Sequence, residues 1–192
     1  MTVITDSYGE GSTLLTITKK SGSNVTFNTV FTTVDISGGE KGVDSTPTTR
    51  GARIKMTKPE EDTEVTLEGY AVEVGTTSTT GSGFYDLMGS QDTTQPRSLS
   101  SNHSFEEYQL VILATNDLTM TAATAQNTSG TIAQRWTYKN GHFTKLDASF
   151  TDGVWKFTLK FKVTPFSKTG TSNCVYESTD TTAQLPTVSS YT

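Results

Sequence analysis

The sequence predicts an all-β fold, an antiparallel β-sandwich or half-barrel with long loops and N- and C-terminal arms. Three observations carry that expectation. Apolar side chains alternate at period two through Thr131 to Val163, with Asn140-Gly141 and Asp152-Gly153 placed where two-residue hairpin turns would fall. Ser and Thr supply 59 of the 192 residues while charged residues stop at 18%, a composition that suits half-buried strands better than helices. No stretch sustains a 3.6-residue apolar period, so no long helix is expected.

Taken in order, Met1 to Gly11 holds one apolar pair, Val3 and Ile4, and reads as the N-terminal arm (1–11). The β domain (12–165) starts with a strand at Ser12 to Lys20, carrying Leu14, Leu15 and Ile17 and closed by the turn Ser21 to Asn24. In Val25 to Ile36 the apolar parity changes between Phe27 and Val30, which places a bulge or a sharp bend near Asn28 to Phe31. Ser37 to Gly51 has the glycines and proline of an exposed loop, at a length that usually serves a function. Arg53 to Thr57, with Ile54 and Met56 expected inward, leads through the acidic turn Lys58 to Asp62 into a strand at Thr63 to Gly75. There the apolar set passes from Val65 and Leu67 to Tyr70, Val72 and Val74, so a bulge is expected at Gly69.

The second long loop, 76–104, includes one expected helical turn at Phe84 to Met88. Glu107 to Thr115 is apolar on both parities, the mark of a strand buried on two sides. Thr131 to Val163 then reads as a three-stranded meander. Across Asn140-Gly141, Tyr138 should face Phe143 and Trp136 should face Lys145; across Asp152-Gly153, Phe150 should face Trp155, Ala148 Phe157 and Leu146 Leu159. Trp155, Phe157, Leu159, Phe161 and Val163 form the core side of the last strand, and Lys156, Lys160 and Lys162 its polar side. Lys145 falls opposite Lys160, an unfavourable pair that implies a bulge or an acidic partner from elsewhere. Phe166 to Thr192 (166–192) is the C-terminal arm, whose anchors Val175, Tyr176, Leu185, Val188 and Tyr191 are too sparse for a core of their own and are expected to dock on another subunit.

Catalytic chemistry finds little to stand on. His103, beside Glu106 and Glu107, has no second His or Cys at ligand spacing; His142 reads as a hairpin-tip residue; and Cys174 lacks a neighbouring base to activate it. Glu60, Glu61, Asp62 and Glu64 read as solvated turn acids, lacking the alternating ligands and turn glycine of a calcium loop. Gly38 to Gly42 lacks the Lys-Ser/Thr ending of a phosphate-binding loop. No cofactor or metal is expected. Asn24, Asn102 and Asn127 match the glycosylation pattern, a common chance outcome in a chain this rich in Ser and Thr. A formal charge of −5 argues against a ligand held by phosphate neutralisation, and the single cysteine and absent leader imply a soluble protein made in the cytoplasm.

Two stretches resemble a known family. GGEKGVDSTPTTRGARIKMTKPEEDTEVTLEGY (Gly38 to Tyr70) and WKFTLKFKVTPFSKTG (Trp155 to Gly170), set in an order of arm, bent strand, loop, strand, loop, buried strand, meander and arm, are similar to the major tail tube proteins of long-tailed bacterial and archaeal viruses. The resemblance implies a non-enzymatic virion protein of the tail, a homo-oligomer in hexameric rings stacked into a hollow tube. Its partners would be other tail and capsid-connector proteins, with genomic DNA only a transient passenger and no membrane. Thr66, Glu68 and Glu73 are then candidates to line the lumen, where acid and hydroxyl groups would let DNA pass, with the lysine row of the last strand turned to acidic neighbours in the tube wall. Another tail component (sheath, baseplate or minor tail protein) and a secreted carbohydrate-binding β-sandwich are the alternatives. The latter would need an export signal and an exposed aromatic platform.

Overall fold

In a computed structural model, described for residues 12–20, 24–26, 29–71, 106–179 and 183–192, the chain is all-β. The strands are β1 (Ser12–Lys19), β2 (Asn24–Thr26), β3 (Thr29–Gly38), β4 (Lys41–Pro47), β5 (Arg53–Glu60), β6 (Thr63–Ala71), β7 (Tyr108–Thr115), β8 (Ala133–Thr151), β9 (Val154–Val163) and β10 (Cys174–Thr179). One antiparallel sheet runs β2-β1-β7-β8-β9-β6-β3, with β10 also on β8, and it curls into a half-barrel; β4 and β5 form a separate two-stranded ribbon. The N-terminal arm, the helical turn at Phe84 to Met88 and the loop 76–104, with His103 and Asn102, lie outside the described residues.

The curl brings two limbs of one sheet face to face. Leu15, Ile17, Leu110, Ile112 and Tyr138 meet Val65, Leu67, Leu159, Phe161 and Val163 in the main core. β7 is buried on both faces, as its sequence implies, because its other parity, Val111 and Leu113, packs with Ala123, Ala133 and Leu185 in a second core outside the curl. That second core accounts for residues 116–132 and 183–192, which carry no strand: Ala123 and Leu185 seat them on the back of the sheet.

Asn140-Gly141 is not a hairpin turn. β8 runs through it for 19 residues, pairing first with β7 and β10 and then with β9, so the pairs Tyr138–Phe143 and Trp136–Lys145 do not form. An extra residue on β8 marks a bulge here: Leu110 pairs with Tyr138, but Tyr108 pairs with Gly141. Asn140 takes the positive φ, 56°, while a Cβ on Gly141 would stand 2.2 Å from the Phe161 ring. The dipeptide thus serves left-handed backbone and close approach, but at the place where the strand changes partners. Asn140 N–H donates to the Tyr191 hydroxyl (3.1 Å), that hydroxyl donates to Asn140 Oδ1 (2.9 Å), and Asn140 Nδ2 donates to Asn173 Oδ1 (2.6 Å).

Asp152-Gly153 does turn, with φ of 53° and 82°, and Phe150 pairs with Trp155, Ala148 with Phe157 and Leu146 with Leu159. Lys145 does stand opposite Lys160, next to a register shift between Phe143 and Lys145, and acids relieve the clash: Lys160 turns to Glu64 at 2.5 Å and Lys145 to Asp147 at 2.7 Å. Trp155, however, is 52% exposed, since the main core ends at Phe157, which packs only partly against it.

Ser37 to Gly51 is likewise not a loop: Ser37 and Gly38 end β3, and Lys41–Pro47 is β4, paired with β5 across a turn in which Gly51 N–H donates to Thr48 O. Backbone pairing leaves no apolar alternation to read, and neither side of the ribbon is buried. Ile54 and Met56, expected inward, are 56% and 55% exposed. The bulge assigned to Gly69 falls on the partner instead: β6 pairs with β9 without a break, and the extra residue is Thr32 of β3, between Phe31 and Thr33, just beyond the 28–31 stretch. Tyr70 stays on the polar side opposite Lys156, and Val72 and Val74 lie outside the described residues.

Candidate functional site

Four strands, β3, β6, β9 and the second half of β8, make one limb of the half-barrel, and this limb has the features of an assembly surface. Period-two alternation gives it an apolar side inside the curl and a polar side outside. Thr66 and Glu68 of β6 lie on the polar side, registered with Lys160 and Thr158 of β9. Glu73 lies outside the described residues. The lysine row is not turned elsewhere: Lys156, Lys160 and Lys162 share the face of the acids and pair with Glu68 (3.0 Å), Glu64 (2.5 Å) and Asp62 (3.3 Å). The parity argument that separates core from polar residues assigns both charge signs to one side, so a purely acidic face was never available to this register. Asp147, on the same side of β8, pairs with Lys145 at 2.7 Å.

Among the described residues both long edges of the limb are open. Among the described residues β3 pairs only with β6, and residues 145–151 of β8 pair only with β9. Unpaired N–H and C=O groups in a row are templates for another strand. The ribbon adds a third exposed element, with Val43, Ile54 and Met56 more than half exposed and Lys58 paired to Asp44 at 3.2 Å.

The anchors of the C-terminal stretch divide. Val175 and Tyr176 belong to β10, on the edge beside β8, and are 40% and 53% exposed. Leu185 and Tyr191 are buried against this chain's own sheet, with Val188 packed beside Leu185. Arg135 holds that arrangement. It is 1% exposed, donates from Nε and Nη2 to Glu177 Oε2 (2.9 and 2.7 Å), and also donates to Ala125 O and Pro186 O. One guanidinium therefore ties β10, the 116–132 segment and the C-terminal strap to β8, a role that a lone Arg in an alternating strand does not announce.

The groups with chemical potential are engaged structurally. Burial pushes the Cys174 thiol up from its ordinary value, and the thiol donates to Thr63 Oγ1 at 4.0 Å. Tyr108 and Tyr138 are pushed up to about 12 by burial. Asp117 is held well below the usual carboxylate range, first by the Thr119 hydroxyl and then by the Thr128 N–H. His142 Nδ1 lies 3.1 Å from Glu106 O, so the residue sits within a strand rather than at a hairpin tip. Asn127 is buried and donates to Thr131 while accepting from Leu185 N–H, which removes it as a glycan acceptor in the folded chain. Among the described residues there is no group of three or more His, Cys, Asp or Glu able to hold a metal, and no helix long and apolar enough to cross a membrane.

No protein-family model and no curated protein matches the chain. Among solved structures it is similar in fold to a chain of an extracellular contractile injection system, the PVC sheath-tube complex in its extended state, at 16% identity, TM-score 0.49, covering 86% of this chain and 89% of that one. A chain of the anti-feeding prophage baseplate matches at 10% identity and TM-score 0.49 over 94% and 99% of the two chains, and one of the anti-feeding prophage tube-terminating cap at 12% and 0.46 over 93% and 100%.

Proposed function

We propose that this chain is a non-catalytic subunit of a viral tail tube, forming hexameric rings that stack into a conduit for genomic DNA. One observation carries the reading: among the described residues, a four-stranded limb has an open edge on each side, one face packed in part against its own core and the other polar. Such a limb joins copies edge to edge, β3 of one beside the second half of β8 of the next, and a closed ring of limbs removes both open edges of each limb. The face carrying Thr66 and Glu68 then lines the bore, with Glu73 continuing it, and the subunit resides in the virion tail after synthesis in the host cytoplasm. Val175 and Tyr176 on β10, with the β4–β5 ribbon, supply contacts to neighbouring copies or to other tail proteins.

Negative-stain microscopy of the purified full-length chain at high concentration tests this directly. Rings or tubes are expected; a dispersed monomer under all conditions overturns the reading. Cysteine pairs placed across the seam between copies, one on β3 and one in residues 145–151, should crosslink copies into closed rings and not into intramolecular bridges.

A further inference from the structure

Each lysine of β9 is answered diagonally by an acid on or just before β6. Lys156 stands opposite Tyr70 but reaches Glu68; Lys160 stands opposite Thr66 but reaches Glu64; Lys162 stands opposite Glu64 but reaches Asp62. The offset is the same in all three cases, two residues back along the chain, which keeps each partner on the same face while the sheet twist favours one diagonal. These side chains are between 31% and 50% exposed, and pairs so exposed add little to stability. Stability alone does not account for a three-rung ladder.

Its consequence for the field outside the sheet is larger. Three bare lysines, spaced about 14 and 7 Å apart along the strand, would each neutralise a phosphate and release a counterion, giving sequence-independent affinity for DNA. With a carboxylate within 3.3 Å of each ammonium, the face presents local dipoles, whose field decays faster than a lone charge and is further screened within about 8 Å at physiological salt. The lysines in turn cancel the repulsion that a ring of acids alone would accumulate.

We infer that this ladder is a mask: Asp62, Glu64 and Glu68 cancel the β9 lysines toward double-stranded DNA, so that the face slides past the polymer without binding it. The inference rests on this face lining the conduit, and it replaces an acidic lumen by a paired one.

Its test is independent of tube formation. Fluorescence anisotropy of a labelled DNA duplex is measured with the dispersed full-length chain at low and physiological salt, with circular dichroism to verify the fold. The native chain should not bind. The variant Asp62→Asn, Glu64→Gln, Glu68→Gln should bind, with log affinity falling against log salt at a slope of roughly −2.7, three phosphates at about 0.9 each. A swapped ladder, with Lys at positions 62, 64 and 68 and Glu at 156, 160 and 162, keeps the lysine count and the pairing and should be inert again. Binding by the native chain, binding by the folded swapped ladder, or no gain in a folded triple variant overturns the mask. Rings or tubes that form while the mask fails leave the tube reading standing; a mask that holds in a chain that never assembles separates the two the other way.

Discussion

β7 and the β4–β5 ribbon are both extended, hydrogen-bonded chain, yet one is buried on both faces and the other on neither. β7 has neighbours on each side and a core above and below it. Among the described residues the ribbon pairs only with itself, and an isolated two-stranded hairpin is marginal in water. The difference separates what the chain stabilises alone from what it offers to others: Leu110 and Val111 are satisfied within one copy, whereas Val43, Ile54 and Met56 have apolar surface still to bury.

The contrast can be broken first at the hub of the buried region. Glu177→Ala would leave the Arg135 guanidinium buried without its carboxylate, and a loss of about 3–5 kcal/mol is expected in urea unfolding. Leu113→Ala should cost about 2–5 kcal/mol through the cavity it opens in the second core. Should either variant unfold at the native midpoint, the packing of the C-terminal strap on this sheet would be wrong.

Gly141→Ala tests the point where β8 changes partners. Its methyl would meet the Phe161 ring, so overpacking of about 1–3 kcal/mol is expected, visible as a lower thermal midpoint. A neutral result would mean that the ring moves aside freely and that close approach is not what the glycine is for.

The irregular segment beyond β7 makes its contribution through pH. Because Asp117 is lowered in the folded chain, its stabilisation is present above the ordinary carboxylate value near 4 and is lost as pH falls through the lowered value. Asp117→Asn should flatten the acid limb of stability against pH while leaving the neutral plateau reduced by about 1–3 kcal/mol. An unchanged acid limb would assign the transition to other carboxylates.

The smallest effect sharpens the comparison most. Ile54→Ser with Met56→Ser should change the stability of the dispersed chain by no more than about 0.5 kcal/mol, since both side chains already face solvent. The same variant should lose assembly in the microscope. Normal assembly would remove the ribbon from the set of contacts.

Much of this architecture is legible in local pattern. Period two located most of the strands, two-sided apolarity marked β7 as central, and the Lys145–Lys160 conflict asked for a bulge or an acid from elsewhere, of which Glu64 of β6 supplies the second. These are properties of neighbours in sequence or of one hairpin, where a single register decides which side chains meet. What tertiary structure alone decided is where partners change. Asn140-Gly141 meets the requirements of a turn and of a bulge equally, and the ring of Phe161, the strand β7 and the hydroxyl of Tyr191 select the bulge. Burial of Arg135, exposure of Trp155 and the diagonal pairing of β6 acids with β9 lysines depend in the same way on which distant strands lie alongside. Alternation states that a side chain has a face, but only the fold supplies what stands opposite it.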